Sequence, residues 1–110
     1  MNTKFRVKIG EMNHYISLQY RTVTRDASGA EVETWTTEDS MWAKIESLTG
    51  REYFAAQQNQ SEIDKKITIR VRRNVTADKR FIYGNRVFEI KAILPDEVGM
   101  FSLILCIERE

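Results

Sequence analysis

Apolar and polar residues alternate along most of this chain with a period of two, the spacing of β-strands rather than helices. In YISLQYRTVTR, Tyr15 to Arg25, the residues Ile16, Leu18 and Tyr20 share one face among many β-formers, which predicts a strand. Asp26 to Gly29, DASG, pairs a side chain that bonds its own backbone with a residue that tolerates positive φ, so a hairpin into EVETWTTE is expected. A third strand is read in MWAKIESL, Met41 to Leu48, with Met41, Ala43 and Ile45 on one face and Trp42, Lys44 and Glu46 on the other. KKITIRVRR alternates most clearly, with Ile67, Ile69 and Val71 expected inward and Thr68, Arg70 and Arg72 outward. NVTADK is a polar connection, and RFIYGNRVFEIKAI reads as two strands about a Gly84-Asn85 turn. LPDEVG supplies a break, and MFSLILCIE is a last strand apolar on both faces, as for a strand covered on both sides or one that changes partners.

The stretch that breaks the alternation is GREYFAAQQNQSE, Gly50 to Glu62. Two readings fit its residues. Thr49 with Glu52 three residues on has the pattern of a capping box and would start a short helix. Alternatively the segment is a long loop whose apolar end orders against a partner. The fold class expected is therefore mainly β: a small antiparallel barrel or sandwich of six or seven strands, with one short helix or long loop around residues 49–62. At 110 residues, a single domain over 1–110 is expected.

Composition narrows the function more than the fold. The chain is 42% hydrophobic and 30% charged and has no apolar run near the ~20 residues of a membrane helix, and MNTKFRVKIG lacks the apolar core of a secretory signal. A cytoplasmic protein is expected. With one cysteine, Cys106, neither an internal disulfide nor a cysteine zinc site can form, and its apolar strand makes it a core residue. The single histidine, His14, has no second imidazole to work with and reads as structural or surface. The glycines are scattered, and the carboxylate pair Asp96 and Glu97 lies in a turn, so no catalytic, cofactor or metal site is expected.

Charge is uneven along the chain although the net is only +1. From Asp26 to Glu52 seven acidic residues face two basic ones, and from Lys65 to Lys91 nine basic residues face two acidic ones. Such blocks suit a head-to-tail contact between copies, or simply a mixed solvated surface. A nucleic-acid-binding barrel is the alternative, with Arg70, Arg72 and Arg73 near Phe81, Tyr83 and Phe88, although +1 offers phosphate little attraction and outward arginines are commonly a wet sheet face.

Trp42-Ala43-Lys44-Ile45-Glu46, the block Gly50-Arg51-Glu52-Tyr53-Phe54-Ala55-Ala56-Gln57, then Ile67-Thr68-Ile69-Arg70, Tyr83-Gly84 and Phe88-Glu89-Ile90 together resemble the tailed-phage head-tail joining family, the head-closure or stopper proteins of phages and prophages. The likeness takes in Gly10, His14 to Gln19, Leu105, Cys106 and Glu108, and so spans nearly the whole chain. The chain departs from the family at Tyr15, where an arginine is common, near Ala77, where a proline is usual, at Val71, where an aromatic is frequent, and in its eight extra leading residues. The resemblance implies a structural protein without an active site or cofactor, a small barrel that joins the connector below the portal as a ring, closes the DNA channel after packaging and offers a tail platform. Its implied partners are the portal or adaptor ring, a tail completion or terminator protein, the packaged DNA and other copies of itself, with no membrane. Its place would be the virion's head-tail connector, after assembly in the host cytoplasm. On that model Tyr53, Phe54, Gln57, Gln58 and Gln60 would form the channel loop, with Arg51, Glu52, Arg70 and Arg72 at subunit contacts.

Overall fold

The computed structural model describes residues 9–50, 62–95 and 99–109. A 3-10 turn at Ile9–Glu11 leads into six strands: β1 His14–Arg25, β2 Glu31–Ser47, β3 Lys65–Arg70, β4 Arg80–Tyr83, β5 Arg86–Pro95 and β6 Phe101–Arg109. All neighbours are antiparallel, and hydrogen bonds run around a closed barrel in the order β1-β2-β3-β6-β5-β4. Closure removes the free edges that an open sheet would present.

The period-two pattern fills the barrel. Ile16 and Leu18 of β1, Met41 and Ala43 of β2, Ile67 and Ile69 of β3, Phe81 of β4, Phe88 and Ile90 of β5, and Ile104 and Cys106 of β6 are buried together. Phe81 lies opposite Phe88, and Leu18 opposite Phe81, so the aromatic rings bridge three strands on the inner face. β6 sits between β3 and β5, which is why its apolar residues include half-buried Leu103 and Leu105 on the outward positions.

Three details differ from the sequence reading. EVETWTTE and MWAKIESL are one 17-residue strand, β2, in which Glu38 is the extra residue of a bulge between the pairs Leu18–Asp39 and Gln19–Thr37. The bulge changes the strand's course without ending its pairing, so the polar run at its centre reads as a break although none exists. β3 stops at Arg70, its pairing with β2 having ended at Thr68, and Val71, expected inward, is 48% exposed, with its amide bonded to the Met100 carbonyl at 3.0 Å just past the last β3–β6 pair. Thr68, expected outward among wet residues, is buried. The helix or loop at Gly50 to Glu62 lies, from Arg51 to Ser61, outside the described residues.

β1 and β2 extend beyond the barrel. Pairing of β1 with β4 ends at Gln19 opposite Arg80, whereas pairing with β2 continues to Arg25 opposite Glu31. The resulting two-stranded arm accounts for a long axis of 57 Å against 29 and 24 Å across. Its tip is closed by Asp26, whose carboxylate accepts from the Ser28 amide at 2.9 Å, the Ser28 hydroxyl at 2.7 Å and the Ala30 amide at 3.0 Å, while Gly29 supplies the positive φ of 85° that the turn requires.

Candidate interaction surface

The residues singled out from sequence fall into three places. Arg70 ends β3 with its guanidinium exposed and its Cζ 5.9 Å from the centre of the Phe101 ring. Arg72 is held within the chain: its Nη1 donates to Asp39 Oδ2 at 2.8 Å, and Asn74 donates to the same oxygen at 3.2 Å. These donors hold the Asp39 carboxyl below its ordinary range, Asn74 first. Arg51, Glu52, Tyr53, Phe54, Gln57, Gln58 and Gln60 all lie outside the described residues. The flanks of their connection are described: the Leu48 amide donates to the Asp64 carbonyl at 3.1 Å, and Ser47 pairs with Lys65, so the chain leaves β2 and re-enters β3 at adjacent points. Asp64 also receives the Glu108 amide at 3.0 Å, which ties the return to β6.

The two charge blocks partly neutralise one another inside the chain. Lys79 meets Glu38 at 2.6 Å and Arg72 meets Asp39, each pair joining the acidic block to the basic one. Arg80 turns its guanidinium onto Trp35, 4.2 Å from the ring centre, and donates to Gln19 at 2.9 Å. Arg86 grips Glu108 through two hydrogen bonds of 2.8 and 3.0 Å, which lower the Glu108 carboxyl and raise the Arg86 guanidinium.

The accessible surface also carries large aromatic and apolar side chains, and composition did not forecast their placement. Tyr15 and Trp42 stand opposite one another on the outer face, each 56% exposed, with ring centres 5.0 Å apart. Continuing the register from Lys44 opposite Thr68 sets Trp42 level with Arg70, and both line a cleft of about 460 Å³ with Gly10, Met12 and Met41. A row of Tyr15, Trp42, Arg70 and Phe101 therefore runs across four strands of the wall. Exposed Tyr, Trp and Arg are the residue types that anchor protein interfaces. The alternation that predicted outward positions could find this row, but only the ring of pairings places its members side by side.

Phe81 and Phe88, proposed from sequence as stacking platforms for nucleic acid, are fully buried, and a ring inside the core has no face to offer a base. Cys106 is buried, and burial pushes its thiol well up, so it is inert. His14 packs edge-on against Tyr83 at 4.9 Å. Among the described residues no group of three His, Cys, Asp or Glu side chains could hold a metal, and no helix is long and apolar enough to cross a membrane.

The molecule is thus a closed antiparallel barrel whose two charge blocks partly pair with one another, and whose wall exposes a row of the residue types that anchor protein interfaces. The chain belongs to the phage head completion protein family, whose sequence profile matches residues 7–110. It is thus a structural virion component with a role in completing the head, and not an enzyme. Its fold is similar to a solution structure of the protein SF1141 from Shigella flexneri 2a, with 28% identity over 93% of this chain and 96% of that one and a TM-score of 0.71. It also resembles a chain in the virion of a native gene transfer agent particle, with 18% identity over 86% of this chain and 91% of that one and a TM-score of 0.59. No curated protein matches the sequence.

Proposed function

We propose that residues 1–110 act as one head-tail joining domain that assembles as a ring below the portal, closes the DNA channel after packaging and presents a platform to the tail. Family membership across residues 7–110 carries this reading. The geometry supports it, because the Leu48–Asp64 bond ties the two flanks of residues 51–61 together at one end of the barrel, and one such connection per copy can converge on a common axis. Tyr53, Phe54, Gln57, Gln58 and Gln60 then meet their symmetry copies beside the packaged DNA, with uncharged side chains that do not repel one another. Arg51 and Glu52 lie at the subunit contact next to that loop. Arg70, whose charge no described carboxylate takes up, reaches the neighbouring subunit, and Arg72 supports the same contact from its bond to Asp39. The portal or adaptor ring lies on one side and the tail completion or terminator protein on the other, with assembly in the host cytoplasm.

The test uses DNA-filled heads lacking this protein. Adding the purified chain restores protection of the packaged DNA from nuclease; replacing residues 53–60 with Gly and Ser leaves the chain bound to heads but lets DNA leak, and Arg70→Glu weakens binding to the heads. Full protection by the Gly and Ser variant removes the channel-loop role. Failure of the wild-type chain to join heads, with a salt-sensitive affinity for short DNA, would instead favour the nucleic-acid-binding alternative.

A further inference from the structure

The large hydrophobic residues exposed among the described positions fall in two places. Tyr15, Trp42, Val71, Leu94 and Met100 are on the barrel, and Tyr20, Val23 and Val32 are on the arm. The arm's two faces differ in kind. One carries Gln19, Arg21, Val23 and Arg25 opposite Thr37, Trp35, Glu33 and Glu31, and its charges pair: Arg21 with Glu33 at 3.0 Å and Arg25 with Glu31 at 3.9 Å. Trp35 donates to Glu33 at 2.7 Å on the same face, which looks onto Arg80, Glu89 and Arg109 across a cleft of about 650 Å³. The other face carries Tyr20, Thr22 and Thr24 opposite Thr36, Thr34 and Val32, without a single charge and exposed throughout. A solvated ribbon needs no uncharged face of β-branched and aromatic residues; a sheet that packs on another surface does.

We infer that this uncharged face lies on the apolar wall of a second copy of the chain, so that each arm reaches its neighbour head to tail. The inference rests on the ring reading above. The occupant follows from the molecule's own surface. Outside the arm, the chain presents an apolar outward patch where Leu94 pairs with Leu103 and Ala92 with Leu105, next to Phe101, Met100 and Val71 and bordered by Lys66 opposite Leu105 and Arg70 opposite Phe101. An uncharged arm face that stands off from the barrel and a different, apolar patch on the barrel wall form a heterologous contact, the kind that generates rings. The arm face itself carries no cation that phosphate or an acidic partner could use. The reach also fits: the six arm residues beyond Gln19 span about 20 Å at ~3.4 Å each, most of the way across a neighbour 24 to 29 Å wide. The tip is fixed beforehand by Asp26, so little ordering is lost on contact. A face about 20 Å by 10 Å covers roughly 200 Å², far below the ~800 Å² per partner of a stable complex. The contact therefore forms on a head that already gathers the copies and not between free chains.

A chain carrying Thr34→Cys and Leu94→Cys tests this, with the buried Cys106 silent to the reagent. Bound to DNA-filled heads and treated with a bismaleimide, it should yield covalent dimers and higher multimers on a denaturing gel, whereas the free chain and each single-cysteine variant stay monomeric. Head-bound double variant that protects DNA yet remains monomeric overturns the arm contact and leaves the closing function standing. Dimers from Thr34→Cys alone overturn the head-to-tail arrangement in favour of arm against arm. Multimers on heads whose DNA stays unprotected support the arm contact while removing the closing reading, and a folded chain that joins no head removes both.

Discussion

The two halves of the β1–β2 pair share one hydrogen-bond ladder and owe their order to different forces. From His14 to Leu18 opposite Asp39 to Ala43, the ladder is one wall of a closed barrel and buries Ile16, Leu18, Met41 and Ala43. Beyond Gln19 the same two strands have no third neighbour, every residue of β1 is exposed, and shape is held by the Asp26 turn, cross-strand ion pairs and β-propensity. Burial of apolar surface stabilises the first half by far more than exposed pairs of ~0–1 kcal/mol stabilise the second. A pair of strands can thus be core at one end and an interaction limb at the other, with no change in register beyond one bulge.

The largest test of this contrast is in the barrel. Phe81→Ala removes a ring packed between Leu18 and Phe88 and should cost about 3–5 kcal/mol, a large share of a total of ~5–15 kcal/mol. Thermal unfolding followed by circular dichroism measures it; a loss as small as that of an arm substitution would mean the barrel interior is not the source of stability. Next come paired changes on the arm's two faces. Thr34→Lys and Thr37→Lys should each alter stability by no more than about 0.5 kcal/mol, both sites being exposed, yet only Thr34→Lys should reduce binding to DNA-filled heads, roughly tenfold. Equal effects on head binding would show that the faces do not differ in function.

The smallest effects come with acid. Glu108 is held below its ordinary 4.5, first by its hydrogen bond to Arg86, so the stability it supplies is present above that value and lost as pH falls through its lower folded-state value. Glu108→Gln should flatten the acid limb of barrel stability. Asp26 is likewise lowered from 3.8, first by the Ser28 hydroxyl, and its contribution is lost in the same direction. Its loss should stay local: in acid, or in Asp26→Ala, hydrogen exchange quickens at the arm tip while the barrel's melting temperature holds. A drop in global melting from Asp26→Ala would join the two regions into one cooperative unit.

Alternation, turn chemistry and the single buried cysteine were legible from local residues because each depends on spacing along one strand: Ile67 with Ile69, the Asp26–Gly29 hairpin and the Gly84-Asn85 turn all stand as read. Where a reading failed, a partner distant in sequence had decided the outcome. The polar centre of β2 looks like a gap between strands, yet β1 pairs with both sides of it around a bulge. Val71 continues the apolar pattern of β3 perfectly, yet its amide bonds Met100 and its side chain stays outside. Arg70 and Arg72 look alike in sequence, and only the fold gives one of them an aspartate and leaves the other on the surface over Phe101. The sequence alone determined a β-rich chain and a family likeness that the profile bears out. Closure of the barrel, the reach of the arm and the row of Tyr15, Trp42, Arg70 and Phe101 were decided by tertiary structure, because each depends on which strands lie side by side, and pairing between distant segments leaves no periodicity in the segments themselves.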